Sequence, residues 1–493
     1  DSFCGSFINL VFCVAAQFAG ATATPEFLTY LDHFLRIDYG QDYYKRLDKV
    51  IEFRVSGDLT LKEKIENMFQ QVVYTVNQPA AARGNQSVFW NIAYFDKYYF
   101  EAIFKGFFFP DGDKPCWESV NVLQKLFMKW FNKERTHEVM TFPVETFNLL
   151  NDGNGDYKDK ENAEFCAEML AEGHSFFIYQ SDSPDALASC CRLRNALENN
   201  EFSYTLGAGG IETGSKGVIT LNLNRIVQDW KNEGCKVTLK ERITEITERV
   251  HKYLSAFNDI VWDYYNNGML QIYNEGFINL DKQFLTIGIN GFVEGAEFLG
   301  YRISPDDENY KQYAIDILTT IKDLNKRDRQ PHCKFNTEFV PAESLGVKNA
   351  KWDKQDGYWV PRDVYNSYFY IVEDTHTTPL EKFELMGKDF TGCLDGGSAL
   401  HMNLDEHLSK AQYEMLMKVA VKDGCKYFTF NIPNTVCNDC GHISKQNLKA
   451  CPKCGSTNLD YLTRVIGYLK RVSNFSEARQ REAKRRYYAD NIQ

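Results

Sequence analysis

Apolar residues along this chain fall into two patterns. Short solid runs, several of them β-branched or aromatic, alternate with longer stretches in which apolar positions recur every three to four residues. The runs predict buried strands at 139–148, 175–179, 217–222, 284–289 and 427–431. The helical spacing predicts a mostly helical block over 30–74, another over 100–105 with 116–134, a short helix at 226–230 and a long one at 239–266. Strands separated by helical stretches, with no internal repeat, imply a wound α/β architecture. The polar stretch 151–162 reads as a surface excursion.

One apolar run, 7–23, has the length and small-residue ending of a signal-peptide core. It lacks a basic flank, contains Gln17 and is too short to span a bilayer comfortably. Asn9, Ala15, Ala16, Ala19 and Gly20 fit a helix packed tightly inside a protein instead. The chain opens on Asp1 with no methionine and reads as starting mid-protein.

The strongest chemical signal is near the C-terminus. Cys437 and Cys440 form one Cys-x-x-Cys pair, Cys451 and Cys454 a second, with ten residues between the pairs. Each pair sets two thiolates on one side of a short knuckle, and Gly441 and Gly455 allow the tight turn that follows. Four sulfurs close a tetrahedral shell, which predicts a structural zinc ion with no open coordination position. Shortly afterwards comes Arg464-Val465-Ile466-Gly467-Tyr468-Leu469. Mid-chain, Ser189-Cys190-Cys191-Arg192-Leu193 precedes a glycine-rich loop and a strand. In extended backbone successive side chains face opposite ways, so one cysteine of that pair can address a ligand. The alternative is two buried small hydrophobes, the usual fate of free cysteine.

These segments resemble class III (anaerobic) ribonucleoside-triphosphate reductases of the glycyl radical enzyme family. In that family a zinc ribbon precedes an Arg-Val-x-Gly-Tyr-Leu loop, and a Cys-Cys-Arg-Leu motif sits mid-chain. The resemblance extends in the same order through Asn77-Gln78-Pro79, Arg83-Gly84-Asn85-Gln86, Phe89-Trp90-Asn91-Ile92, Thr141-Phe142-Pro143-Val144 with Asn148, Gly209-Gly210-Ile211-Glu212-Thr213-Gly214-Ser215, Pro341-Ala342-Glu343 and Gly396-Gly397. It implies a ten-stranded barrel built from two half-barrels, followed by the ribbon and a radical loop. The implied domains are a catalytic α/β barrel at 1–431 lacking its N-terminal part, a zinc ribbon at 432–460, and the radical loop with a C-terminal helix at 461–493. It further implies a stable radical on Gly467, a thiyl on Cys191, anaerobic reduction of ribonucleoside triphosphates with formate or a thiol as reductant, a radical-SAM iron–sulfur activase, and a homodimer with nucleoside triphosphate effectors. Glycine suits the radical role, because without a side chain its Cα can stay planar with both flanking amides. Asn222, at a strand end, and Glu343 are the candidates for hydrogen bonds to the ribose, against the plainer reading of strand-end polar groups serving the backbone. Cys4 and Cys13 lack the context of the family's second active-site cysteine.

Composition agrees. With 493 residues, 44% hydrophobic and 14% aromatic, the chain can bury a large core. A net charge of −11 argues against a nucleic-acid surface over most of the molecule. Fourteen cysteines, scattered singly apart from the motifs, suit a reducing compartment and place the protein in the cytoplasm. The stripe Arg479, Arg481, Lys484, Arg485, Arg486 allows a second reading, a zinc-ribbon nucleic-acid-binding protein. Interleaved Glu477 and Glu482 make it read as a solvated helix face. A glycyl-radical lyase acting on a small acid is the third reading. Three partial motifs fail: Tyr157 and Ala163 spoil a calcium loop, Glu212 a dinucleotide fingerprint, and Ser215-Lys216 reverses the P-loop order.

Overall fold

The structure is a computed structural model that describes residues 2–490 apart from 19, 54, 56, 185, 189–193, 197–213, 341–343 and 466. Cys190, Cys191, Glu343 and most of the glycine-rich loop lie outside the described residues.

Nine strands carry the body: β1 (Thr22–Ala23), β2 (Trp90–Phe95), β3 (Val144–Leu150), β4 (Phe177–Ser181), β5 (Gly214–Asn222), β6 (Gln283–Asn290), β7 (Lys334–Phe339), β8 (Leu400–Asn403) and β9 (Tyr427–Asn431). They form a six-stranded sheet in the order β1-β2-β3-β4-β9-β8 and a three-stranded sheet in the order β7-β6-β5. Every pairing is parallel except β4 with β9. A single parallel bridge, Glu338 with Gly397, joins β7 to the segment entering β8. The strands therefore make two blocks, β1–β4 and β5–β9, that run in opposite directions and meet at the β4–β9 pair. The expected ten-stranded barrel is not closed here: among the described residues nothing pairs β1 with β5, and β1 is two residues long.

Burial explains the solid apolar runs. β2, β3, β4 and β9 are buried at every position, as parallel strands covered on both faces require. Helices supply that cover. α1 (Ser2–Gln17) buries Cys4, Phe7, Val11, Val14 and Ala15, so the apolar N-terminal run is a packed helix as far as Gln17, and its end, Thr22–Ala23, is strand β1. No helix among the described residues is long and apolar enough to cross a membrane. α2 (Leu239–Asn266) has the expected bounds because Thr238 and Glu241 form a reciprocal capping box at its start.

Several boundaries differ from expectation for local reasons. The strand expected at 139–148 begins at Val144, after Pro143, which has no N–H to give a sheet. The block 30–74 is two helices, Phe27–Tyr39 and Leu61–Val76, with a short antiparallel pair between them. Gly40, at φ 92°, ends the first. The excursion at 151–162 is pinned, since Tyr157 is buried and its hydroxyl donates to Gln180 Oε1 at 2.5 Å.

Gly288 in β6 lies between Thr220 of β5 and Val340, the residue after β7. A Cβ there would overlap Thr220 Oγ1 and Val340 Cγ2. Gly288→Ala is expected to cost about 1–3 kcal/mol through overpacking, read as a lower urea midpoint with an unchanged m-value.

Candidate functional site: the buried C-terminal loop and its four-cysteine ribbon

Beyond β9 the chain forms a small antiparallel sheet of β10 (Asn434–Cys437), β11 (Ile443–Ser444), β12 (Leu459–Thr463) and β13 (Lys470–Arg471), in the order β11-β10-β12-β13. Its apolar centre is Val436, Ile443 and Leu462, with Val139 of the body packed against them. One end carries the cysteines. Gly441 N–H donates to Cys437 O at 3.0 Å and Gly455 N–H to Cys451 O at 2.9 Å, so both knuckles turn as the spacing required. These glycines take φ 72° and 73°.

The four Sγ atoms lie within 4.8 Å of one another. Cys437 Sγ is 3.6 Å from Cys454 Sγ, and Cys440 Sγ is 3.6 Å from Cys451 Sγ. A disulfide would need about 2.0 Å, whereas zinc bonded to sulfur at about 2.3 Å puts tetrahedral edges near 3.8 Å. Donor type, number and spacing thus all fit a tetrahedral metal. The sequence-predicted cluster Cys437, Cys440, Cys451, Cys454 is assembled as a group that could hold zinc.

The ribbon is fastened to the body through β11 and the turn after it. Lys445 Nζ reaches Asn132 Oδ1 and donates to Glu172 O at 3.4 Å, and Lys445 O meets His407 Nε2 at 2.8 Å. Burial pushes the Lys445 ammonium down to about 8. Asn447 Nδ2 adds a bond to Asp405 Oδ1 at 2.7 Å.

The loop that carries Gly467 is the connection between β12 and β13, whose last pairs are Thr463 with Lys470 and Leu462 with Arg471. It is buried, and its backbone is satisfied by side chains rather than by a ladder. Asn431, at the end of β9, accepts from Arg464 N at 2.9 Å and donates to Arg464 O at 3.4 Å and Asn403 Oδ1 at 2.7 Å. Its amide thus substitutes for a strand's peptide group. Arg486 Nη1 donates to Arg464 O at 2.9 Å, and Arg486 Nη2 to Val465 O at 2.6 Å. Arg464 Nη1 donates to Gly467 O at 2.8 Å. Tyr468 packs its ring at a tilt, 5.4 Å from Phe89 and 5.7 Å from Phe142 between centroids.

Those last contacts bring together segments far apart in sequence. Phe142 is held by Asn77, whose Nδ2 donates to Phe142 O at 2.6 Å and whose Oδ1 accepts from Phe142 N at 3.0 Å. The Asn77, Phe89 and Thr141-Phe142 motifs therefore converge on the loop.

The basic stripe is divided: Arg481, Lys484 and Arg485 are exposed as expected, whereas Arg479 and Arg486 turn inward. Arg479, Glu482 and Arg486 are 6%, 4% and 6% exposed. Arg479 Nη1 meets Glu482 Oε2 at 3.1 Å, and Arg486 Nε bonds Glu482 Oε1. Burial alone would lower the Arg486 guanidinium, but the Glu482 carboxylate outweighs it and raises it above its ordinary value. Only the other face, with Glu477, Arg481, Lys484 and Arg485, is exposed. Sequence reasoning missed Asn431 and Arg486 as loop contacts; the sole hint was that helix 477–485 has carboxylates at spacings that could serve either face.

Asn222 ends β5 and caps the helix Leu223–Asn232, accepting from Arg225 N at 3.4 Å. Its Nδ2 donates to both oxygens of buried Asp353, at 2.9 and 3.1 Å. Asp353 also accepts from Asn224 Nδ2, Arg225 Nε and Tyr365 Oη at 3.2, 2.7 and 2.8 Å. β5, β6 and β7 are parallel, so Asn222, Asn290 and the segment leading to Glu343 share the carboxyl end of one sheet.

An open-ended α/β sheet system with a four-cysteine ribbon and a buried glycine loop is the frame on which the comparisons name a class. The sequence model described as anaerobic ribonucleoside-triphosphate reductase matches residues 1–488. The chain belongs to that family, an oxidoreductase family, and catalyses anaerobic ribonucleotide reduction. A solved anaerobic ribonucleotide reductase superimposes with a TM-score of 0.84 at 28% identity, covering 100% of this chain and 76% of that one. The anaerobic ribonucleotide reductase from Thermotoga maritima in complex with dATP and CTP gives 0.81 at 28% identity, covering 97% and 76%. The same enzyme with dATP bound in the specificity site gives 0.80 at 29%, covering 96% and 77%. No curated protein matches the chain. Neither the lyase nor the nucleic-acid reading gains support from these matches.

The clamp on the loop is testable. Removing one partner of a buried ion pair costs about 3–5 kcal/mol, so Arg486→Gln is expected to release the tail. Limited proteolysis after Lys470 or Arg471 should accelerate strongly, while the exposed control Arg481→Gln stays within about 0.5 kcal/mol of wild type in stability.

Proposed function

We propose that Gly467 stores the radical and Cys191 is the thiol that carries it to substrate. What supports this most is the family match through residue 488 together with a Gly467 that is buried in a loop clamped by Arg464 and Arg486. A long-lived Cα radical needs exclusion of water and oxygen, and a glycine held by its backbone carbonyls has that protection.

In this reading hydrogen moves from the Cys191 S–H to the Gly467 Cα, leaving a thiyl. The thiyl takes the 3′ hydrogen of the ribonucleotide, and the 2′ hydroxyl leaves with a proton as water. Two electrons and a proton from formate or from thiols complete the reduction. Cys191 then returns the 3′ hydrogen, and Gly467 gives its own back to the sulfur. Asn222 and Glu343 are the proposed ribose contacts, because ligands of open α/β sheets bind beyond the carboxyl ends of strands. For Asn222 that contact would trade against its present bonds to Asp353.

The two strand blocks are read as the halves of a ten-stranded barrel enclosing this chemistry. Cys437, Cys440, Cys451 and Cys454 would hold one structural zinc, keeping the ends of the hairpin that presents the loop in register. Four protein thiolates leave the metal no open position, so it supplies shape and no chemistry. Making the radical requires an oxidant stronger than any side chain here, which is the role of a separate iron–sulfur activase using S-adenosylmethionine. The ribbon and loop would leave the body together to meet it. A cytoplasmic homodimer responding to nucleoside triphosphate effectors completes the proposal; dATP bound to the Thermotoga maritima enzyme is consistent with it.

Fully reduced protein is expected to contain one zinc per chain by elemental analysis. Cys451→Ser should lose the metal, loosen the tail and lower radical yield severalfold while the body keeps its circular dichroism. Zinc-free protein with a full radical yield would refute the role.

Anaerobic turnover of ribonucleoside triphosphates by activated protein, with and without formate, tests the reaction itself. Gly467→Ala should abolish the organic radical. Cys191→Ala should keep the radical and lose product by at least about a thousandfold, as expected when a group that must act in the chemical step is removed. Product from Cys191→Ala would transfer the role to Cys190.

A further inference from the structure

We infer that Arg464 is a positioning residue that tunes the radical site by holding a cationic N–H donor on the Gly467 carbonyl. The inference rests on the reading of Gly467 as the radical position and adds to it a group that shapes the radical's electron distribution. Four observations carry it. Arg464 is 1% exposed, among the largest fully buried side chains of the molecule. Its Nη1 donates to Gly467 O at 2.8 Å. The other side of the fork is fixed to the body, with Nε donating to Ser175 Oγ and Nη2 to Ser175 O, both at 3.0 Å. The guanidinium carbon lies 4.9 Å from the Phe177 ring centroid.

Ser175 O is itself a shared acceptor. Arg135 Nη1 also donates to it at 3.0 Å and bonds Glu145 Oε2 at 3.0 Å. Glu145 in turn meets His174 Nε2 at 2.9 Å and accepts from Tyr94 Oη at 2.6 Å. The loop's guanidinium is thus built onto a buried, hydrogen-bonded frame rather than left to find its own place. A planar fork can grip Ser175 on one edge and Gly467 on the other; a lysine ammonium, a single point donor, lacks that geometry.

The physical consequence concerns the peptide that would share the unpaired electron. A glycine Cα radical is stabilised by an electron-donating amide nitrogen on one side and an electron-accepting carbonyl on the other. A charged donor at the carbonyl oxygen makes it a better acceptor, drawing spin from Cα toward oxygen. Charge-assisted hydrogen bonds are about twice as strong as neutral ones, and the low dielectric of the interior strengthens the effect further. When the loop leaves the body, the two Ser175 bonds and the Phe177 contact must break with it, so full tuning belongs to the docked state.

The decisive measurement uses the activated full chain with its native sequence. Protein grown on guanidino-15N arginine is expected to show a 15N coupling on the radical by electron–nuclear double resonance, and protein exchanged into D2O a matching exchangeable deuteron. Both should persist in Arg481→Gln, an exposed arginine that pairs with Asp363 and Glu477. In Arg464→Gln the α-proton doublet should widen, because spin returns to Cα, and the radical should decay severalfold faster. Deuterated glycine in the native chain separates the two claims. A doublet that collapses with this label, with neither 15N nor exchangeable-deuteron coupling, overturns the role of Arg464 and leaves the glycyl reading standing. A doublet that survives the label overturns the glycyl reading and this inference with it. If Arg464→Gln yields no radical, the native-chain couplings still decide.

Discussion

Burying a hairpin loop beside the end of a sheet takes its carbonyls away from water without giving them a ladder to join, and each unpaired buried polar group costs about 1–3 kcal/mol. This chain meets that constraint with side chains that reach in from elsewhere. Asn431 mimics a peptide group for Arg464, Arg486 bonds two successive carbonyls, and Arg464 returns to serve Gly467. The position of the glycine and the inward face of helix 477–485 both follow from that arrangement.

The cations used for this purpose are themselves buried, which is tolerable only when they are paired or fully hydrogen-bonded. Glu482 serves Arg486 and Arg479 together, and the Ser175 group serves Arg464. The result is a loop held by a few strong, directional bonds instead of a broad apolar face. Such an attachment fixes the loop by direction as well as by distance. The ribbon adds its own fastening through Lys445 and Asn447, so hairpin and tail share their anchorage to the body.

Much of the site was legible along the chain because its chemistry is local. The two cysteine pairs with a glycine after each define a knuckle whatever surrounds them, and the structure brings all four sulfurs together. Solid apolar runs located β3, β4, β6 and β9, since strands covered on both faces must be apolar nearly throughout, whereas β5 is half-buried and only its second half was legible. The apolar spacing placed α2 at 239–266, and the structure shows the capping box of Thr238 and Glu241 that sets its start. The order of the motifs pointed to the family, and residues 1–488 match it.

What tertiary structure alone decided is which face of a mixed segment turns inward and what a short segment pairs with. Arg479, Glu482 and Arg486 have a spacing that satisfies a solvated helix equally well; only the carbonyls of the loop, supplied by residues some twenty positions earlier, make it an inward face. β1 and β8 are too short to declare themselves by periodicity and exist because longer neighbours offer them an edge. Asn431 looked like the last residue of a strand, and Ser175 like the first of one. Their roles come from Arg464, nearly three hundred residues from Ser175 in the chain, and no local pattern encodes that meeting.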